Sequence, residues 1–459
     1  MNQYSVSNYR DPTKFHEAFA ATGEAEEMWL TESARGADPS AEPSPYARHE
    51  FITRISFLQE LSKTESYFPT DERTQLAAWC RHFVVERNLF AENQLIAKER
   101  ASHTVFKHDR TESLSLRGAW SECFRTTRWH EWSEGIAAKY RALAHLYKRR
   151  EEKRAALYVE LKDATDLHES RKESAAIEND LAGLLLKRTH ALAKESQEEA
   201  SRKLESESPE SRTMAHALAT EVSVGWPKAF SLRAFESLLP GWLDARIDMR
   251  PFSRSPFSPL YNGASALRSF ERFGELFRRA PAQSKLPYVL RRSPTRSEVA
   301  RFGALVGSLP LSLAFQKRAL DAGNVAGDQV RSLSRAALFE LRKRAAVVLI
   351  SNTKESDRQG LADELTLSVF GPRFSSSFLL GASFRERAHT HTAFLAMLES
   401  VVWRNHLVAT FDDDWFRNPR CIEHLHVQRL TAIPPFALGR EEATSALHTE
   451  LSRLEEQCS

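Results

Sequence analysis

GDQVRSLSRAALFELRKRAAVVLISN (327–352) places Val330, Leu333, Ala337, Leu341 and Val348 three, four or seven residues apart. That is the spacing of one face of an α-helix, and no polar–apolar alternation of period two competes with it. Outward from this stretch the same period recurs at Phe51, Ile55 and Leu58, at Leu76, Trp79 and Phe83, and at Phe394, Leu398, Val401 and Val408. Trp120 and Phe124 stand one turn apart, as do Trp129 and Trp132. They predict a core stripe, since aromatic side chains bury large areas where helices pack. Only 17 Gly and 19 Pro interrupt 459 residues, which favours helix throughout. No repeat of fixed length is present. The expected fold is all-α, a multi-helical body.

Residues 131–206 contain no proline and two glycines, with an apolar seam (Ile136, Tyr140, Leu143, Tyr147, then Ile177, Leu181, Leu184) through a charged surface. This pattern predicts a long central helical hairpin, an antiparallel pair with a bend near 166–174. Residues 1–30 are polar and mildly acidic, and TESARGADPSAEPSPYARHE (31–50) is rich in Pro, Ser and Ala like a linker. ESESPESRT (205–213) and PFSRSPFSPLYNG (251–263) interrupt the later helical pattern. The expected organisation is therefore a polar segment and linker (1–50), an N-terminal helical region with the hairpin (51–206), and a C-terminal helical region (214–459).

At 42% hydrophobic and 10% aromatic, the chain can bury a sizeable core. Cys80, Cys123, Cys421 and Cys458 lie far apart without a C-x-x-C pair, so a zinc ribbon, a thioredoxin-like motif and a disulfide framework are unsupported. The opening MNQYSVSNYRDPTKFHEAF lacks the basic start and apolar run of a signal peptide. The longest apolar run, AAVVLI (345–350), is far too short for a membrane span. A soluble, cytoplasmic protein without a membrane partner is expected.

No phosphate-cradling G-x-x-x-x-G-K-[ST] or G-x-G-x-x-G occurs, and no G-x-S-x-G elbow. In HLVATFDDDWFRNPRCIEHLH (406–426), Asn418–Pro419 reads as N-cap and first helical residue, so Asp412–Asp414 fall in a joint between two helices. His424 and His426 would diverge by about 200° on a helix. Three adjacent acids can bind a divalent cation, but hard-cation sites take six or more oxygens. No metal or other cofactor is expected. Net charge is +3 overall, yet residues 244–345 hold 19 Lys/Arg against 8 Asp/Glu, a surplus of 11. Residues 1–50 hold 4 against 9. Arg278, Arg279, Lys285, Arg291, Arg292 and Arg296 alternate with Phe273, Phe277 and Tyr288, a composition that suits single-stranded nucleic acid. The same cluster suits an acidic peptide or this chain's own acidic start, and the small overall charge favours that reading.

LYNGASALRSFERFG (260–274), RSEVARFGALVGSL (296–309), AALFELRKRAAVVLI (336–350) and LESVVWRNHLVATFDDDWFRNPR (398–420) follow one another in an order that resembles the C-terminal half of thimet-oligopeptidase-like metallopeptidases. That family is an all-helical gluzincin scaffold in which H-E-x-x-H supplies two zinc ligands and the general base, and a later glutamate completes the site. Here YNGAS occupies the motif: Tyr261 and Ser265 stand for the histidines and Asn262 for the base, while Glu298 falls where the third ligand would be. The resemblance implies the fold without the family's chemistry. The chain is expected to be a non-catalytic scaffold or interaction protein with a protein or peptide partner, a pseudo-metallopeptidase. A nucleic-acid-binding protein using 278–296 and a metal-dependent hydrolase with a divergent site are the alternatives.

Overall fold

The computed structural model describes residues 12–35, 43–63, 70–102, 104–116, 118–119, 122, 129–162, 168–195, 224–244, 246–247, 249, 252, 257, 263–280, 287–294, 296–370, 376–430 and 438–458. The N-terminal elements are α1 (Pro12–Arg35), α2 (Ile55–Lys63), α3 (Thr70–Asn88), α4 (Phe90–Ala101), β1 (Val105–Phe106), β2 (Ser113–Leu114), α5 (Trp129–Lys162) and α6 (His168–Arg188). Next come α7 (Leu232–Leu238), α8 (Gly263–Arg279), α9 (Tyr288–Arg291), α10 (Ser297–Gly307) and α11 (Leu313–Arg318). The chain closes with α12 (Ala326–Asn352), α13 (Glu355–Phe370), α14 (Ser377–Phe411), α15 (Pro419–Gln428) and α16 (Arg440–Cys458). The fold is all-α. Among the described residues the only sheet is an antiparallel ribbon pairing Val105 with Leu114 and Phe106 with Ser113.

α12 carries the periodic stretch 327–352 and runs through the middle of the body. Leu333, Ala345, Ala346, Val348 and Ile350 are fully buried because α6, α8, α13, α14 and α16 pack on it from several directions. The apolar run AAVVLI (345–350) is apolar because protein packs around this helix on several sides. No helix among the described residues is long and apolar enough to cross a membrane.

Two features differ from the sequence expectation. The opening residues were expected to be a polar segment, but α1 is a packed helix whose Phe15 and Phe19 join Phe57, Phe83 and Tyr46 in one aromatic core. Its five acids give it a net negative charge, while Phe15, Phe19 and Trp29 at helical spacing do the packing. The long central helices are present as α5 and α6, but each packs extensively on the C-terminal region: α5 on α14, and α6 on α12 and α16. Their seam residues Ile136, Tyr140, Leu143 and Leu181 share one core with Val347, Phe394 and Leu451. The expected boundary between 206 and 214 therefore does not divide the core, although residues 205–213 themselves lie outside the described residues. Trp132 is buried as expected, while Trp120 and Phe124 also lie outside them.

The pair that positions the basic cluster is α8 and α10. A Cβ on Gly274 would lie 2.3 Å from the Phe302 carbonyl oxygen, so glycine alone permits this approach. Gly303 and Gly307 lie against Glu271, which fixes the two helices as antiparallel. Phe270, Phe273 and Phe277 then enter a second aromatic core with Phe235, Trp242, Phe302 and Phe315. Each such side chain stabilises the fold by roughly 1.5–3 kcal/mol of burial.

Candidate functional site

α8 ends in Phe277, Arg278 and Arg279, and the carbonyls of a last helical turn have no partner inside the helix. Arginines from elsewhere in the chain take them. Arg429, just past α15, donates from Nη1 to the carbonyls of Phe277 (2.9 Å) and Ala280 (3.0 Å). Arg292, just past α9, donates to those of Arg278 (2.8 Å) and Arg279 (2.6 Å). Arg278 points the other way, giving Nη1 to the Arg429 carbonyl and Nη2 to the Arg291 carbonyl (2.6 Å). Three guanidiniums thus tie the ends of α8, α9 and α15 together where the helix dipole favours positive charge. Arg429 also lies 5.2 Å from the Phe277 ring centroid.

This arrangement carries a cost. Burial, and then the neighbouring Arg292, push the Arg278 guanidinium down to about 9, with Glu298 opposing the shift. Arg429 is pushed down to about 10 by burial and by Arg292. Both remain charged at neutral pH.

The outer arginines meet α1. Arg279 pairs with Glu27 at 3.2 Å, and Arg296 lies 3.7 Å from Glu26. Glu26 is 2% exposed. It accepts from the Tyr46 hydroxyl (2.6 Å), and both of its oxygens lie 2.9 Å from His82 Nε2. Burial by itself would raise the Glu26 carboxyl; His82, Arg296 and Tyr46 outweigh it and hold the group at about 2. Burial lowers His82, but the charge and hydrogen bond of Glu26, aided by Glu86, raise it above its ordinary value. Gly23 makes the crossing possible, because a Cβ there would lie 2.4 Å from the Tyr288 hydroxyl oxygen.

The structure therefore brings together Arg278, Arg279, Arg291, Arg292 and Arg296; Lys285 lies outside the described residues. Of the metallopeptidase-equivalent positions, Tyr261 and Asn262 also lie outside them. Ser265 is buried in the first turn of α8. Glu298 is buried in the first turn of α10, accepts from the Ser293 amide at 3.2 Å, and faces Arg278 electrostatically. Ser265 and Arg278 are 13 residues apart on one helix, which is about 20 Å at 1.5 Å per residue. The antiparallel register thus sets Ser265 and Glu298 at opposite ends of α8. Arg429, which completes the cluster, was missed by sequence reasoning, and no local signal marks it.

The acidic stretch is an interhelical joint. Asp412 ends α14 at φ 70°, Asp414 pairs with Arg318, and Asn418 caps α15 by accepting from the Arg420 amide at 3.0 Å. Trp415 and Phe416 are buried, and Trp242 Nε1 donates to the Phe416 carbonyl at 2.8 Å. His426 turns inward against Phe277, 5.2 Å between ring centroids, while His424 sits near His406. No group of three His, Cys, Asp or Glu side chains among the described residues is placed to hold a metal ion.

One further trio has the chemical order of a hydrolytic relay: Ser351 Oγ lies 2.9 Å from His391 Nε2, and His391 Nδ1 bonds to Glu178. The Ser351 hydroxyl also lies within hydrogen-bond reach of the Val347 (2.6 Å) and Val348 (3.1 Å) carbonyls. Ser351 lies within α12, where backbone amides are committed to the helix ladder and cannot form an oxyanion hole. The trio joins α6, α12 and α14. Cys80, Cys421 and Cys458 are free and buried. Burial pushes the Cys421 thiol up to about 12 and Cys458 to about 11, which leaves both protonated and unreactive.

Comparison with known proteins finds no family model, no curated protein and no solved structure that matches the chain.

Proposed function

We propose that the chain is a non-catalytic helical scaffold of the cytoplasm that acts by binding a protein or peptide and carries no cofactor. The observation that supports this reading is the way the arginine cluster is used. Guanidiniums that could face a substrate or a polyanion give their N–H groups to the ends of α8, α9 and α15 and to the carboxylates of α1. The free thiols suit a reducing compartment. In this reading Tyr261 and Ser265 stand where a thimet-oligopeptidase-like helix carries its zinc-binding histidines and Asn262 where it carries the general base, and Glu298, at the other end of α8, is too far away to complete a zinc site. Elemental analysis of the purified protein is expected to find no stoichiometric zinc. One equivalent of zinc, lost on Glu298→Gln, would favour a metal-dependent hydrolase instead. The local surplus of 11 basic residues favours one competing reading, a nucleic-acid interface on the outer arginines.

A further inference from the structure

A cleft of about 210 Å³ opens between the segment after α6 and the last turn of α13, lined by His190, Ala193, Lys194, Leu367 and Ser368. None of these residues is acidic. Behind the cleft lies Arg342 of α12, which is 2% exposed. Its guanidinium donates to the Leu186 carbonyl (3.0 Å) and Thr189 Oγ1 (2.7 Å) from Nη1. From Nη2 it donates to the Ser368 carbonyl (3.1 Å) and Ser368 Oγ (2.9 Å). All four acceptors are neutral, and no carboxylate among the described residues pairs with this buried cation. Burial alone accounts for the depression of Arg342 to about 10.

The two hydroxyls differ in what they have left to give. Thr189 accepts from Arg342 and donates its proton to the Leu185 carbonyl at 2.7 Å. Ser368 accepts from Arg342, and no described residue receives its proton. A hydroxyl that accepts from a charged donor is polarised as a donor in turn. Ser368 lines the cleft together with His190 and Lys194, which stand one turn apart on the facing segment. We propose that this cleft binds a small tetrahedral oxyanion, a phosphate or phosphomonoester, held by Ser368, His190 and Lys194 with Arg342 as the charge behind them. A tetrahedral anion offers separate oxygens to all three donors. The volume is below the roughly 300–1,000 Å³ of sites that enclose drug-sized ligands, so the ligand is the anionic group itself.

Calorimetric titration of the full chain with inorganic phosphate, at constant ionic strength with chloride as the balancing anion, tests this. The expected result is saturable one-site binding with Kd on the order of 1 mM. Ser368→Ala should weaken it about tenfold, the usual scale for one hydrogen bond to a charged group. His190→Ala, on an exposed side chain, should weaken it without disturbing the fold, as circular dichroism would verify. Phenyl phosphate in a parallel arm separates the sources: tighter binding than inorganic phosphate assigns a monoester, weaker binding a free anion. A linear heat response with both probes, or unchanged binding in both variants, would overturn the proposal.

Discussion

Arg278→Met is expected to destabilise the protein by about 2–5 kcal/mol, because it leaves two buried carbonyls without donors at about 1–3 kcal/mol each. Methionine keeps most of the length and apolar character of the stem, so lost packing contributes little. The carbonyls of Arg429 and Arg291 both depend on this guanidinium. Removing one of several mutually repelling cations gives some of the loss back, since Arg292, Arg429 and Arg291 all disfavour the charge of Arg278. The remaining loss is a large fraction of the 5–15 kcal/mol typical of a domain. Urea unfolding should show a lower midpoint with an unchanged slope. A variant as stable as the parent would mean that Arg278 is held for a ligand and is not needed by the helix ends.

The second large effect is expected at the Glu26 clasp. Glu26→Leu leaves the charges of His82 and Arg296 and the Tyr46 hydroxyl facing an apolar side chain, at a cost of about 3–5 kcal/mol. The pH dependence has two limbs. The Glu26 carboxyl is held at about 2 in the folded chain against an ordinary 4.5, so its contribution is complete above 4.5 and is lost as pH falls through about 2. His82 is raised above its ordinary 6.5, so its contribution is complete below 6.5 and is lost as pH rises through the folded value. The clasp is strongest between 4.5 and 6.5. Melting temperatures measured across pH should fall on the alkaline side in the parent chain and lose that slope in His82→Gln. An alkaline slope that survives the substitution would assign it to another group.

Periodicity exposed the helices because local spacing records which face is buried: Leu333, Leu341 and Val348 are a stripe in the sequence and a core in the fold. The Asp412–Asp414 joint was legible for a similar reason, since Asn418 and Pro419 are local helix-start chemistry. α1 was hidden because its apolar residues are half alanine and the partners of Phe15, Phe19 and Trp29 lie on α2, α3 and α4. The basic cluster was visible as charge, but its use was not. A count of arginines cannot tell a side chain facing solvent from one that caps a helix end 152 residues away, as Arg429 caps Phe277. Arg342 and the Ser351–His391–Glu178 trio were hidden for the same reason: each is assembled from elements far apart in the chain.

The arginines at 278–296 join parts of this chain to one another. Fluorescence anisotropy of a labelled single-stranded oligonucleotide, titrated with the full chain at low and moderate salt, tests it most directly. Weak, unsaturated binding even at low salt is expected, because Arg278, Arg279, Arg292 and Arg296 already face carbonyls and carboxylates. Tight binding that falls steeply with salt, as counterion release requires, and that vanishes when Arg291, Arg292 and Arg296 are replaced by Glu in a variant still folded by circular dichroism, would contradict it.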